Sequence, residues 1–277
     1  GAFNLQLAYA FFSGFGKPRP APTDEESWER FDFGTPDAWQ YFLELGPLSN
    51  VPGRFKQPVA FWSDIVAHPD YDEFWKARSI LPHLRNVGAA TLVVGGWYDT
   101  EDLYGPLQTY AAIERLNPKS RNTLVMGPWP HGGWARGKGD RLGDAEFGFN
   151  TAEYFQPLAL AFFKQHLKGA EDAGLPEALV FETGANRWRR FEQWPPAAAQ
   201  ARRLYFHAEG RLDWNPPTSD GADDYPSDPA KPVPYTQEIS QRWSRDYMAE
   251  DQRFAARRPD VLVYQTAPLE QDLTLAG

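Results

Sequence analysis

No cysteine occurs in the 277 residues. That excludes a disulfide framework, a thiolate zinc site and a cysteine nucleophile, and it leaves cytoplasm and periplasm equally open. No apolar run approaches the roughly 20 residues of a membrane-spanning helix, so no membrane partner is expected. An excess of positive charge is missing too. The 28 Lys and Arg face 37 Asp and Glu, a net charge of −9 without an acidic tail. Such a chain is not drawn to nucleic acid or to an anionic bilayer. The amino-terminal stretch "GAFNLQLAYAFFSGFG" lacks the charged start and small-residue cleavage site of a signal peptide. It reads like the middle of a domain, and the closing "EQDLTLAG" stops within a strand pattern, so both ends are expected to be cuts in a longer chain.

What is present is apolar and aromatic material, 42% and 15% of the chain, enough for a substantial core. Three regions separate by pattern. Residues 1–84 are helix-like and rich in Trp and Phe, and read as a lid or cap inserted into another domain. In "TPDAWQYFLELG", Thr35 is placed to cap, Pro36 to open the helix and Gly46 to end it. Pro58 to Val66 and Tyr71 to Ile80 predict two further helices, broken at His68-Pro69. Residues 85–175 alternate strand and helix: "ATLVVGG", "LQTYAAIERLNP", "NTLVMG" and "TAEYFQPLALAFFKQHLKG". That order is the grammar of a parallel α/β sheet. From residue 176 to 277, short runs such as "EALVFETGANRWRRF", "ARRLYFHAEGRLDW" and "DVLVYQTAPLEQDLTLAG" predict a separate all-β domain of sandwich or jelly-roll type.

The two buried strands of the middle region end alike. "TLVVGGWYDT" runs into Asp99 and "TLVMGPWPHGG" into His131, 32 residues later. Functional groups of open parallel sheets gather at the carboxyl ends of strands. An Asp and then a His on consecutive strands is the tail of the Ser…Asp…His order of α/β-hydrolases. A carboxylate on one ring nitrogen holds the tautomer and supports the imidazolium formed when the other nitrogen takes a proton. Taken singly, each residue has an ordinary explanation, the Asp as a turn or helix cap and the His as a packed loop residue. The nucleophile is absent: no serine ahead of Asp99 stands in a G-x-S-x-G elbow, the contexts being "FFSGF", "EESWE", "PLSNV", "FWSDI" and "ARSIL". Under the hydrolase reading, the serine therefore lies upstream of residue 1.

Seven segments occur in the order of a known group: "HPDYDEFW" (68–75), "GGWYDTEDLYG" (95–105), "NTLVMGPWPHGGW" (122–134), "FFKQHLKG" (162–169), "FETGANRWRRFEQWP" (181–195), "SDPAKPVPY" (227–235) and "RPDVLVYQTAPLEQDLTLAG" (258–277). They resemble the α-amino acid ester hydrolases and glutaryl-cephalosporin acylases, which group with cocaine esterase and the X-Pro dipeptidyl-peptidases among the serine hydrolases. The resemblance covers most of residues 60–277, and residues 1–60 are similar to that family's helical cap. It implies the C-terminal part of an α/β-hydrolase fold with a helical cap, followed by the start of a jelly-roll β-domain near residue 176. It further implies Asp99 and His131 as acid and base of a triad whose serine, and the tyrosine of its oxyanion hole, precede this chain. The isolated chain is then expected to be inactive.

Family members acting on α-amino esters hold the substrate ammonium with carboxylates, which makes Asp70, Asp72, Glu101 and Asp102 the candidates here. The alternative for Asp70 and Asp72 is a role at a helix start, where carboxylates favour the helix dipole. Trp97, Tyr98 and Trp129 adjoin the pair and are candidates to line an acyl pocket, or to be core. The expected partner is a small ester or amide, with an α-amino acyl group or a β-lactam side-chain donor among the options, and a homo-oligomer is open. No cofactor or metal is expected. Two other readings stay in view: a metal-dependent hydrolase using His68, Asp70, Asp72, Asp99 and His131, for which no ligand spacing speaks, and a non-catalytic aromatic-rich binding scaffold.

Overall fold

The computed structural model describes residues 31–56, 58–241 and 245–276, together with Phe11, Ala21 and Pro22. The rest of residues 1–30 of the expected cap lies outside the described residues. The chain divides into two compact units, Gly1–His83 with Gln237–Ser244, and Leu84–Thr236 with Arg245–Gly277. No described helix is long and apolar enough to cross a membrane.

The first unit is helical in its described part. Helix α1 spans Ala38–Leu45, and Asp37 rather than Thr35 caps it. The Asp37 carboxylate accepts from Gln40 N at 3.2 Å, while the Thr35 hydroxyl accepts from Asp37 N at 3.2 Å. The cap thus falls two residues later than Thr35, because the short Asp side chain reaches the third helical N–H. Gly46, at φ 71°, ends the helix as expected. Helix α2 spans Ala60–Ala67. Around Trp62 pack Leu45, Val51 and Val59, with Phe31, Phe33, Tyr41, Phe42 and Phe55 at the margin. The helix expected over Tyr71–Ile80 is only α3, Glu73–Lys76. Asp72 takes its N-cap, and Arg78 N and Ser79 N bond Trp75 O and Lys76 O three residues back, which tightens and closes the turn.

The second unit is built on a four-stranded sheet. Strand β1 is Thr91–Gly96, helix α4 is Tyr104–Leu116 and strand β2 is Asn122–Gly127. The two strands are parallel, in register from Thr91 opposite Asn122 to Gly96 opposite Gly127. A short hairpin follows, β3 (Arg141–Leu142) with β4 (Ala145–Glu146), and then α5, Thr151–Lys168, closed by the left-handed Gly169. One face of the sheet buries Val93, Leu124 and Met126 with Tyr110 of α4. The other buries Val125 with Trp129 and Phe155 of α5. This is the period-two alternation of a sheet covered on both sides.

The sheet does not end at residue 175. Strand β5, Ala178–Glu182, pairs parallel with β2, and β6, Arg187–Phe191, pairs antiparallel with β5, giving the order β1-β2-β5-β6. The run read as opening an all-β domain therefore supplies two strands of the α/β sheet. The first four residues of β5 are buried, as an inner strand of a covered sheet requires. Beyond it, the described residues form one small hairpin, β7 (Tyr205–His207) with β8 (Arg211–Asp213), and helix α6, Arg253–Ala256. "DVLVYQTAPLEQDLTLAG" contributes one bridge, Gln265 to Arg211, and no strand among its described residues.

Candidate active site

Backbone pairing continues past the strand ends and clamps the two following loops together. Trp97 N donates to Gly127 O at 2.9 Å and Tyr98 N to Trp129 O at 3.2 Å. Glycine is required for this approach at Gly96, where a Cβ would sit 2.0 Å from Trp129 O, far inside van der Waals contact. Asp99 then turns back, its N–H donating to Gly96 O at 3.2 Å. After β2 the chain passes Pro128, Trp129 and Pro130 before His131, and the left-handed Gly132 (φ 71°) turns it away.

The result joins the two residues that the sequence pairs. His131 Nδ1 lies 3.0 Å from Asp99 Oδ2. A carboxylate only accepts, so the imidazole donates from Nδ1. The other oxygen, Oδ1, accepts from Glu101 N at 2.9 Å and Asp102 N at 3.0 Å. Asp99 thus spends both oxygens on three fixed donors, with its side chain 1% exposed. His131 is 34% exposed, and its Nε2 has no hydrogen-bond partner among the described residues. A buried acid, an oriented ring and a free second nitrogen equip the pair to take a proton at Nε2.

Two more carboxylates flank the ring. Glu101 Oε2 stands 3.6 Å and Asp102 Oδ2 3.5 Å from His131 Nδ1. Burial pushes the Glu101 carboxyl above its ordinary value; His131 opposes the shift, and Asp102 and Asp99 add to it. Tyr98 is half-buried against Phe147, with ring centroids 6.0 Å apart, and burial raises its phenol as well. Trp97 packs on Trp194 and donates from Nε1 to Phe181 O at 2.9 Å.

Trp129 is a core residue, not a pocket wall. It is 0% exposed, lies among Val125, Phe155 and Leu179, and donates from Nε1 to Thr151 Oγ1 at 2.8 Å. The indole fills the space that Gly127 leaves without a Cβ, which would lie 2.4 Å from the ring. Thr151, the first residue of α5, has no signal in the sequence beyond a helix start. Asp70 and Asp72 belong to the other unit. Asp72 caps α3, accepts from Phe74 N at 3.0 Å and meets His68 Nδ1 at 2.6 Å. The His68 bond, aided by Phe74 N, holds its carboxyl below the usual range. The His68 ring stacks on Phe74 at 4.2 Å. Asp72 therefore serves its own turn, and Asp70 is exposed beside it.

Asp99, Asp102 and His131 bring ligand-type atoms within 4.8 Å of one another. In the tautomer that donates from Nδ1 to Asp99, that nitrogen offers no lone pair and Nε2 alone could coordinate.

The mixed sheet, parallel through β1, β2 and β5 and with helices on both faces, fits an α/β-hydrolase-like fold. Residues 36–133 match the model of the X-Pro dipeptidyl-peptidase (S15 family), and residues 172–277 match that of the X-Pro dipeptidyl-peptidase C-terminal non-catalytic domain. Cocaine esterase of Rhodococcus sp. (strain MB1 Bresler) is 31% identical over 248 residues, 83% of this chain and 41% of its own length. The crystal structure of an aminopeptidase from a marine sediment Thaumarchaeota archaeon superposes with a TM-score of 0.80 at 34% identity, over 89% of this chain and 42% of that one. The chain belongs to the X-Pro dipeptidyl-peptidase-like family that includes cocaine esterase. It spans about four-tenths of the length of these relatives.

Proposed function

We propose that this chain carries the acid and base of a serine hydrolase that cleaves ester or amide bonds through an acyl-enzyme. The observation that carries the reading is the 3.0 Å bond between His131 Nδ1 and a buried Asp99 held by two turn N–H groups. The nucleophilic serine comes from a segment outside these 277 residues, since no G-x-S-x-G precedes Asp99 in them. His131 Nε2 takes the proton as the serine oxygen bonds to the carbonyl carbon, while Asp99 stabilises the imidazolium. The same nitrogen returns the proton to the leaving alcohol or amine as the scissile bond breaks. Water, deprotonated in turn by Nε2, then releases the acid.

Glu101 and Asp102 favour an acyl group that bears an ammonium: two carboxylates beside the base attract a cation in a half-buried setting. Esters of α-amino acids and peptides with a free amino end share that feature, in keeping with a family that holds both an esterase and an aminopeptidase. Residues 1–84 act as the helical cap, and the C-terminal residues open a jelly-roll domain, supported by their match to the non-catalytic domain model. The test uses the full-length protein with an activated α-amino ester. His131→Ala removes turnover and a serine-directed phosphonate inactivates the enzyme, while a chelator does neither. Turnover retained by the His131 variant, or lost to the chelator alone, refutes the reading. The 277-residue chain by itself gives no acyl burst.

A further inference from the structure

A chain of contacts runs from the Asp99–His131 pair to the start of α5. Trp129 stands two residues before His131, and its carbonyl accepts from Tyr98 N, the residue before Asp99, at 3.2 Å. Its indole Nε1 donates to Thr151 Oγ1 at 2.8 Å, in a bond buried on both sides. The Thr151 hydroxyl donates onward to Gly139 O at 2.5 Å. The space around that hydroxyl is closed, since a Cβ on Gly139 would lie 2.6 Å from Thr151 Oγ1. Trp129 is thus fixed at both ends, by its carbonyl to the Asp99 loop and by its ring to the helix.

We infer that Thr151 is a positioning residue for the hydrolytic pair, acting through Trp129 to hold the His131 ring against Asp99. The Thr151 hydroxyl bonds to Trp129 and Gly139 and makes no hydrogen bond to His131 or Asp99 among the described residues. Its hydroxyl is the acceptor that sets the depth of the indole, and the indole carries the short backbone segment on which His131 stands. Without that acceptor the buried indole N–H is unpaired. The ring then shifts to find a partner, and the loop shifts with it. The inference rests on the reading of Asp99 and His131 as acid and base, but its test needs no turnover.

The readout is the His131 tautomer in the 277-residue protein, taken from long-range proton–nitrogen-15 correlation of the imidazole. In the parent sequence Nδ1 carries the proton. In Thr151→Val, which keeps shape and removes the acceptor, the Nε2–H share rises about five- to tenfold, the ratio expected from losing one ordinary buried hydrogen bond. Thr151→Ser keeps the hydroxyl and the parental tautomer. An unchanged tautomer in Thr151→Val overturns the inference, even if that variant melts at a lower temperature. So does an equal shift in Thr151→Ser, which would trace the effect to the lost methyl. Should Thr151→Val not fold, Thr151→Ala is judged by the same two criteria. Failure here is separate from failure of the hydrolase reading, which is decided by turnover of His131→Ala in the full-length protein.

Discussion

Replacing Asp99 with Asn swaps one oxygen for an amino group, and the surroundings dictate which one. Two N–H donors converge on Oδ1, from Glu101 and Asp102 at 2.9 and 3.0 Å, so the amide oxygen must stay there. The new NH2 then faces His131 Nδ1, and two donors cannot meet. The ring responds by moving its proton to Nε2, so that Nδ1 accepts and Nε2 can no longer act as a base. A hydrogen bond to a charged partner contributes about 1.5–3 kcal/mol. With the imidazole 34% exposed, solvent screening brings the expected loss to about 1–2 kcal/mol. Urea unfolding of the 277-residue protein measures that loss, and imidazole nitrogen-15 shifts report the tautomer. In the full-length enzyme the same exchange lowers kcat by about 10³–10⁴-fold. A variant that keeps Nδ1–H and near-parental turnover would show that Asp99 does not orient His131.

Three further outcomes are expected. Gly96→Ala puts a methyl 2.0 Å from Trp129 O and destabilises by about 3 kcal/mol or more, whereas Gly105→Ala, with nothing within 4 Å, is neutral or stabilising by up to about 1 kcal/mol. Thermal melts of the two variants side by side check the contrast. Burial raises the Glu101 carboxyl in the folded chain, so its contribution is fully present below its unfolded value and is lost as pH rises through the folded one. Glu101→Gln therefore gains stability over the parent as pH rises above the carboxyl's ordinary value, and a gap that does not change with pH contradicts the assignment. Asp72 is the opposite case. The His68 bond lowers its carboxyl, so the stability it contributes is present above the unfolded value and fades as pH falls through the folded one. Asp72→Asn should melt below the parent at pH 7, and the two should converge in acid.

The pairing of Asp99 with His131 is legible because each closes an apolar run at a glycine-rich turn, on consecutive parallel strands. Helices α4 and α5 were legible from apolar spacing and from their stops at Pro118 and Gly169. Strands β5 and β6 were recognised as strands but placed in the wrong sheet. A short apolar run declares that it is buried on both faces, not which neighbour it pairs with, and the partner of β5 lies more than 50 residues back. Trp129 was ambiguous for a related reason. Whether an aromatic beside a functional residue faces substrate or core depends here on the room left by Gly127, and that room exists only once the strand is folded. The sequence offers Asp72 both as a substrate carboxylate and as a helix-start residue, and its hydrogen bonds to His68 and Phe74 put it at the helix start. Thr151 could not be found from sequence, since a threonine opening a helix carries no trace of an indole donated from a loop 22 residues earlier.

The ladder between β1 and β2 keeps one offset from Thr91–Asn122 to Gly96–Gly127, and carried onward it sets Asp99 opposite Pro130, one residue from His131. The spacing of acid and base is thus written in the strand register and not in the helix that joins the strands. Strands alternate faces with a period of two, so a slip of one residue would exchange the side chains of one strand between the two cores, where they no longer fit their neighbours. Any register error that separated the pair would unpack the sheet as well, and misaligned forms are removed by folding itself. The connection through α4 does not set that spacing, although its Tyr110 packs on the same sheet.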